Sequence, residues 1–160
     1  MTLSPAIFKK ALSQFMTGVC VVTAQENNIK FGITISSFSS VSLSPPLILF
    51  SIDHHSKSHD FWTRALFFNV HILSGAQKEL AQKFAASTGD KWKNVHTSEN
   101  ADGQPCLEGC LSRLECKNFA VYPGGDHSII VGQVKNIFVA DDNQPPLLHF
   151  RGLYPNFLSE

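Results

Sequence analysis

The sequence has few charged residues and no excess of either sign. Only 16% of its 160 residues are charged, and 13 basic side chains balance 13 acidic ones. Proteins that bind nucleic acids or anionic membranes through charge carry an excess of lysine and arginine, so the composition disfavours both classes. With 43% hydrophobic residues the chain can build a core, and its length predicts a single domain over residues 1–160.

Long apolar segments are also lacking. The longest candidate, residues 47–52, contains Ser51 and ends at Asp53, whereas about 20 apolar residues are needed to cross a bilayer. Lysines follow the first apolar residues, and the apolar core of a secretory signal is missing. The sequence therefore predicts a cytoplasmic protein whose cysteines, at positions 20, 106, 110 and 116, are free thiols.

Several familiar site motifs are missing as well. There is no GxGxxG fingerprint, no GxxxxGK[ST] loop and no GxSxG elbow, so Rossmann-type dinucleotide binding, P-loop phosphate binding and serine hydrolysis have no support. Cys106, Cys110 and Cys116 provide one cysteine pair at zinc-ribbon spacing, where two such pairs are needed. No metal site is predicted.

The sequence does contain many short strand patterns and a few helical ones. Apolar residues at helical spacing follow Ser4 and Pro5, which suit a helix start. Residues 19–24 and 29–36 are rich in β-branched side chains and flank an Asn-Asn turn, which predicts a hairpin. Further strands are predicted at 47–52, 67–73, 107–116, 119–122, 128–140 and 147–151, and helices before residue 64 and at 77–86. This pattern predicts a mainly β barrel or sandwich with flanking helices.

Residues 32–46, GITISSFSSVSLSPP, are unusually rich in hydroxyl side chains. Thr34 lies in the predicted strand 29–36, and six serines extend from its end to a proline pair. Hydroxyls together with backbone N–H groups at a strand end suit a planar, heteroatom-rich ligand or a phosphate. The alternative is the exposed face of an antiparallel strand, on which Ser and Thr simply alternate outward.

Two polar turns are further candidates. Residues 54–59, HHSKSH, place Lys57 between two serines, which could hold a phosphate by charge and hydroxyl donors; the alternative is a solvated loop. The histidine spacing in this segment matches no standard metal pair. Residues 123–127, PGGDH, put His127 at the start of a predicted strand, where it could donate to a ligand; the alternative is a surface turn with an incidental histidine.

The order and spacing of these segments resemble a known family. The chain is similar, nearly end to end, to the small flavin reductases of two-component flavin-dependent monooxygenases, within the FMN-binding split-barrel superfamily. Two features depart from common members: a histidine-rich turn at His54-His55, and Ser44 where an acidic residue is frequent. The resemblance is carried by FMTGVCVVTA (15–24), GITISSFSSVSLSPPLILFSI (32–52), FNVHILSGAQKELAQKFA (68–85), GQPCLEGCLSRLEC (103–116), GGDHSIIVGQV (124–134) and PPLLHFRGLY (145–154).

The resemblance implies a mainly β fold, a six-stranded antiparallel split β-barrel with flanking helices, working as a homodimer with flavin at the dimer interface. It also implies that the hydroxyl-rich strand lines the isoalloxazine and ribityl chain, that Lys57 and Ser58 meet the flavin phosphate, and that His127 positions the nicotinamide. Arg151 and Tyr154 would close the site. The implied flavin-binding residues are Thr34, Ser36, Ser37, Phe38, Ser39, Ser40, Ser51, Ile52, Asp53, Lys57, Ser58, Phe84, Arg151 and Tyr154.

The activity implied by the resemblance is that of an NAD(P)H:flavin oxidoreductase. Hydride would pass from NADH or NADPH to FMN or FAD, and the reduced flavin would be released to a separate monooxygenase. Hydride transfer requires positioning and no acid or base from the protein, which agrees with a sequence that offers no clear nucleophile–base pair. Two alternatives stay open: an enzyme that keeps FMN tightly bound and acts on another substrate, and a non-catalytic flavin-binding module.

Overall fold

The chain folds into three short helices and eleven strands within residues 3–141 and 143–155, which are the residues that the computed structural model describes. A 3-10 turn at Gly75–Gln77 precedes the third helix. The helices are α1 (Pro5–Leu12), α2 (His59–Arg64) and α3 (Lys78–Ala85). The strands are β1 (Thr17–Gly18), β2 (Cys20–Glu26), β3 (Ile29–Ile35), β4 (Ser39–Leu43), β5 (Pro46–Asp53), β6 (Phe67–Ile72), β7 (Thr97–Glu99), β8 (Pro105–Leu107), β9 (Ser112–Gly124), β10 (His127–Val139) and β11 (Leu148–His149).

One antiparallel sheet organises the fold and confirms the predicted mainly β class. Among the described residues it has seven strands in the order β3-β2-β6-β9-β10-β5-β4. This is one strand more than the six expected, because the short β4 pairs with β5 at the edge of the sheet. Two-stranded ladders, β1 with β11 and β7 with β8, lie outside it.

The sheet curls around its main hydrophobic core. Ile35 of β3 and Ile52 of β5 lie five places apart in the strand order, yet both belong to one buried cluster. A flat sheet would keep these residues far apart, since neighbouring strands are separated by about 4.8 Å. Helix α2 covers this core with Phe61 and Trp62, and the ring of Phe61 stacks on Phe31 of β3. The curl therefore brings the ends of β3, β5 and β10 to one rim.

A second buried cluster lies between the sheet and α3. Phe84 of α3 is fully buried there and meets Trp92 edge to face. Gly32 of β3 makes room for it, because a Cβ atom at that position would lie 2.3 Å from Phe84 Cε1. The hydroxyl of Thr34 donates to the carbonyl of Ala81 at 2.6 Å. These contacts fix α3 behind the hydroxyl-rich strand.

The predicted hairpin is confirmed, and one strand prediction is wrong in part. Strands β2 and β3 pair as expected, and Asn27 and Asn28 at their turn have φ values of 52° and 64°, which asparagine tolerates better than most residues. The sequence predicts a strand across 107–116, but β8 ends at Leu107 and β9 begins only at Ser112. The intervening turn buries Cys110 in the second cluster and passes through Gly109 at φ 72°, which an extended strand does not allow.

The four cysteines are free, as predicted, and all four are buried. Burial raises the pKa of the thiols of Cys20 and Cys116 to about 12 and that of Cys110 to about 11. Thiols with such pKa values carry little thiolate near neutral pH and serve as small apolar core residues. None of the helices in the described part of the chain is long and apolar enough to span a bilayer.

His71 is a fully buried polar residue whose two ring nitrogens both have backbone partners. Nδ1 lies 3.1 Å from the carbonyl of Val21, and Nε2 lies 3.1 Å from the amide nitrogen of Leu107. The carbonyl can only accept and the amide can only donate, so the ring is neutral with its proton on Nδ1. Burial lowers the pKa of His71 to about 3. The ring bridges β6, β2 and β8 only in this neutral form.

Acidification is therefore expected to destabilise the fold through His71. The folded state keeps the ring neutral down to about pH 3, whereas the unfolded chain takes up a proton below its ordinary pKa of 6.5. The contribution of the neutral ring is complete above that pKa, and the free energy of unfolding falls by about 1.4 kcal/mol per pH unit below it. Urea unfolding between about pH 7 and pH 4.5 measures this slope.

The matched variant is His71→Gln, which cannot titrate. We expect this variant to be less stable at neutral pH. Its free energy of unfolding should fall less steeply on acidification, by about 1.4 kcal/mol per pH unit, because one fewer group takes up a proton on unfolding. The exposed His96, replaced by Gln, controls for general effects of losing a histidine. Equal slopes in the wild type and in His71→Gln would contradict the assignment.

Candidate active site

A cavity of about 300 Å³ opens at the rim where β3, β5 and β10 meet, and it is called the polar cavity because seven of its ten lining residues are polar. Strand β10 pairs with β5 so that His127 lies opposite Asp53. The connection from β3 to β4 forms the facing wall, and Ser37 fastens it to β5, because its hydroxyl oxygen accepts from the backbone N–H of Ser51 at 3.0 Å. The lining residues are Ile33, Thr34, Ile35, Ser36, Ser37, Ser51, Ile52, Asp53, Ser56 and His127.

A larger and more apolar cavity of about 920 Å³ adjoins the polar one. Ser36 and Ser37 line both, so the two spaces meet at the β3–β4 connection. Lys9 and Arg151 bring positive charge to the edge of the larger cavity. Its other lining residues are Leu12, Ser13, Phe15, Met16, Thr17, Gly18, Phe38, Ser39 and His149.

His127 is held in a defined orientation at the mouth of the polar cavity. Its Nδ1 lies 2.6 Å from a carboxylate oxygen of Asp126, and the side chain is 40% exposed. Because a carboxylate only accepts, Nδ1 carries the proton and Nε2 is an acceptor in the neutral ring and a donor in the charged one. The hydrogen bond from His127 lowers the pKa of Asp126. This carboxylate therefore stays ionised and keeps the ring oriented at neutral pH.

Asp53 shapes the turn that leads from β5 to α2. One of its carboxylate oxygens accepts from the backbone N–H of His55 at 2.7 Å and lies 3.0 Å from the ring Nδ1 of the same residue. These hydrogen bonds, the backbone one first, lower the pKa of Asp53. The backbone N–H of Ser56 donates to the carbonyl of Asp53 at 3.0 Å. The resulting tight turn places Ser56 at the cavity and the exposed Lys57 beside it.

Most of the predicted site residues lie around the two cavities. Thr34, Ser36, Ser37, Ser51, Ile52, Asp53 and His127 line the polar one, and Phe38, Ser39 and Arg151 line the larger one. Two of these residues, Thr34 and Ile52, expose little of their side chains to the polar cavity. The Thr34 hydroxyl is bonded to Ala81 in α3, and Ile52 is only 1% exposed because its side chain belongs to the main core.

Five predicted residues line neither cavity. Ser40 lies on β4 opposite Ile48, and Phe84 is fully buried behind β3, while Tyr154 packs against the second core cluster. Lys57 and Ser58 follow Ser56 in the turn; the hydroxyl oxygen of Ser58 accepts from the indole N–H of Trp62 at 3.0 Å. The structure thus places Lys57 and Ser58 beside the polar cavity and Phe84 one layer behind it.

The sequence reasoning missed several lining residues of the larger cavity. Phe15, Met16 and Thr17 come from the connection between α1 and β2, and His149 comes from β11, which pairs with Thr17. The FMTGV and PPLLHF segments contain these residues, but only the register of the β1–β11 ladder brings them together. No periodic pattern indicates such a pairing of two-residue strands.

The two cavities together fit a flavin. An isoalloxazine ring is planar, with a heteroatom-rich edge and an apolar dimethylbenzene edge. Serine hydroxyls and the rims of β3 and β5 supply polar groups on one side, and Phe15, Met16 and Phe38 supply apolar surface on the other. No cluster of His, Cys, Asp and Glu suited to a metal occurs within residues 3–141 and 143–155.

Comparison with known proteins agrees with this geometry. A model of the "Flavin reductase like domain" family matches residues 12–157. The FMN reductase (NADH) SmoA of Agrobacterium fabrum is 38% identical over 94% of this chain and 84% of its own length. The flavin-dependent monooxygenase reductase subunit HsaB of Mycobacterium tuberculosis is 32% identical over 95% of this chain and 82% of its own.

A solved structure extends the similarity to three dimensions. It is the Streptomyces globisporus NADH:FAD oxidoreductase SgcE6 in complex with NAD and FAD fragments. The two structures superpose with a TM-score of 0.91 at 30% identity, over 99% of this chain and 97% of SgcE6. The chain belongs to the flavin reductase like domain family, and the family resemblance read from its motifs is confirmed.

Proposed function

We propose that the protein is an NADH-dependent flavin reductase that supplies reduced flavin to a separate monooxygenase. The observation that carries this proposal is the placement of His127 opposite Asp53, at the mouth of a hydroxyl-lined cavity that opens into an apolar one. A hydride donor and a flat acceptor can meet in such a cavity. The names of SmoA, HsaB and SgcE6 support the same function.

The residues of the polar cavity favour reduction of a bound flavin. A flavin supplies the ring that accepts the hydride, and its reduced form carries negative charge at the pyrimidine edge. Ser36 and Ser51 offer donors beside the cavity, while Ser37 is already bonded to the β5 backbone and holds the wall in place. Preformed donors stabilise developing charge without reorganisation. Among the other predicted residues, Lys57 and Ser58 hold the flavin phosphate, and Arg151 and Tyr154 close the site.

His127 positions the nicotinamide. Its Nδ1 is engaged by Asp126, so Nε2 is the ring nitrogen presented to a substrate. A carboxamide contains both an N–H donor and a carbonyl acceptor, so either protonation state of His127 can bind it. The reacting carbon atoms must come within about 3–3.5 Å, and the rigid start of β10 restricts the donor to that geometry.

NADH is the proposed donor, with NADPH as the alternative. SmoA and SgcE6 are both named as NADH enzymes. The same two proteins are named for different flavins, FMN and FAD. Either flavin is therefore a candidate acceptor for this chain.

The proposal is tested by following oxidation of NADH and NADPH in absorbance while FMN or FAD is titrated from zero. We expect saturable turnover that depends on added flavin and exceeds one equivalent many times. Turnover that needs no added flavin, with flavin retained through dialysis, would favour the enzyme with tightly bound FMN. Flavin binding without turnover of any pair would favour the binding module.

Replacing His127 by Ala is expected to impair use of NADH more than binding of flavin. Loss of one hydrogen bond at the nicotinamide should lower kcat/KM for NADH about tenfold or more. The flavin dissociation constant, measured by fluorescence quenching, should change less than about threefold. His96→Ala, on an exposed segment, is the matched control. Equal loss of both properties, or of neither, would contradict the role of His127.

We also propose that the protein works as a homodimer. Large apolar side chains of α1 and of the segment that follows it are exposed, among them Ile7, Phe8 and Phe15. Phe15 also lines the larger cavity, so a second copy covering this face would complete the site.

Sedimentation equilibrium at micromolar concentration tests the dimer. We expect a mass of twice 17.7 kDa. A monomer that still turned over flavin and NADH at that concentration would contradict the dimer and leave the reductase proposal intact.

A cytoplasmic location and a single domain over residues 1–160 complete the proposal. Four free thiols fit a reducing compartment. The family model covers residues 12–157, and one sheet connects both halves of the chain.

A further inference from the structure

Ser128 joins two histidines that lie at opposite ends of the turn between β5 and α2. Its hydroxyl oxygen lies 2.9 Å from Nε2 of His59 and 3.3 Å from Nε2 of His54. The two imidazole rings meet edge to face with centroids 5.0 Å apart. In this group of three side chains, the Ser128 triad, Ser128 is only 8% exposed and His59 is half-buried, while His54 is exposed.

The hydrogen bonds of the Ser128 triad have one consistent direction when both rings are neutral. Nδ1 of His59 lies 3.2 Å from a carboxylate oxygen of Asp60, which only accepts, so Nδ1 carries the proton. Nε2 of His59 then accepts from the Ser128 hydroxyl. The same hydroxyl oxygen accepts from Nε2–H of His54. One serine is thereby the hydrogen-bond partner of Nε2 in both rings.

The Ser128 triad attaches both ends of the turn to the strand that carries His127. His54 is bonded at one end and His59 at the other, and the backbone N–H of His54 also donates to the carbonyl of Asp126 at 3.0 Å. Ser56, Lys57 and Ser58 lie between the two attachment points. Successive residues of a strand face opposite sides, so His127 lines the cavity while Ser128 holds the turn from behind.

We propose that Ser128 is a positioning residue. It fixes the position of residues 56–58, the flavin-phosphate segment, relative to His127, which positions the nicotinamide. This inference rests on the proposed function, in which Lys57 and Ser58 hold the flavin phosphate. Ser128 acts through His54 and His59 and touches no substrate. It preorganises the segment, so the free protein loses less conformational freedom when the phosphate binds.

The test compares FMN with riboflavin, which has the same ring and no phosphate. In Ser128→Ala we expect the dissociation constant and KM for FMN to rise about tenfold, because the half-buried His59 and the exposed His54 lose their shared partner and the segment loosens. The constants for riboflavin and kcat at saturating FMN should stay within about twofold of the wild type. Ser128→Thr keeps the hydroxyl and should restore FMN binding.

Three further variants make the result decisive. Ser112→Ala, at the other end of the β9–β10 hairpin, controls for loss of a serine on the same element. Ser128→Ala added to the double variant His54→Ala/His59→Ala should weaken FMN binding no further, since Ser128 acts through these two histidines. Lys57→Ala should reduce the preference for FMN over riboflavin, which tests the phosphate assignment separately.

Each outcome decides the inference. Unchanged FMN binding in Ser128→Ala, or equal loss of FMN and riboflavin, would overturn it. If Lys57→Ala lowers the FMN preference and Ser128→Ala does not, only the role of Ser128 fails. A wild type that does not distinguish FMN from riboflavin would overturn the phosphate assignment and the role of Ser128 together. Circular dichroism of each variant identifies misfolding. If Ser128→Ala does not fold, the separate variants Ser128→Thr and His59→Ala decide the inference by the same comparison of FMN with riboflavin.

Discussion

The site depends on the pairing of β10 with β5. This ladder sets His127 against Asp53 and Ser128 against Ile52, so two polar turns that are distant in sequence share one rim. Backbone hydrogen bonds of an antiparallel ladder fix the register to one residue, and a slip by one would exchange the faces of His127 and Ser128. The groups that β5 and β10 present to a ligand in the polar cavity follow from this register.

Two hydrophobic clusters support the sheet, and the main one includes Phe50, Ile52 and Ile130 of this ladder. The main cluster fills the inside of the curled sheet, and the second fixes α3 against β3 through Phe84 and Gly32. Such packing leaves the strand ends little freedom, because protein interiors are close-packed. A reaction that needs only correct placement of two planar molecules benefits from a rigid rim more than from reactive side chains. The buried thiols and the neutral His71 agree with this division, since they serve packing and line neither cavity.

Charged groups near the site orient other side chains. Asp126 orients His127, and Asp53 shapes the turn through His55. Both carboxylates have lowered pKa values and remain ionised at neutral pH. Their hydrogen bonds define which ring nitrogen each histidine presents. The histidine nitrogens available to a substrate at the rim are thus determined by carboxylates that the substrate need not touch.

Local patterns in the sequence identified most of the elements and the family. The β2–β3 hairpin with its Asn27-Asn28 turn, the buried strand β5 and helix α3 follow from short-range periodicity and turn chemistry. The same reasoning failed across 107–116, because the turn at Gly109 is stabilised by contacts of Cys110 with residues far away in the chain. It left open whether the serine-rich strand was a binding surface or a solvated face. The composition of this segment is the same in both cases, and only its contacts with neighbouring strands distinguish a binding surface from a solvated face.

By itself, the sequence determined the mainly β class, the family and the residue types that a flavin site requires. Only the tertiary structure decided which of those residues share a cavity, which hydroxyls are already bonded, and that Phe84 lies behind the wall. It alone brought His54, His59 and Ser128 together. The physical reason is that side-chain type and local periodicity are short-range properties of the chain. Strand register, sheet curl and the pairing of distant turns arise from long-range contacts, which no local pattern encodes.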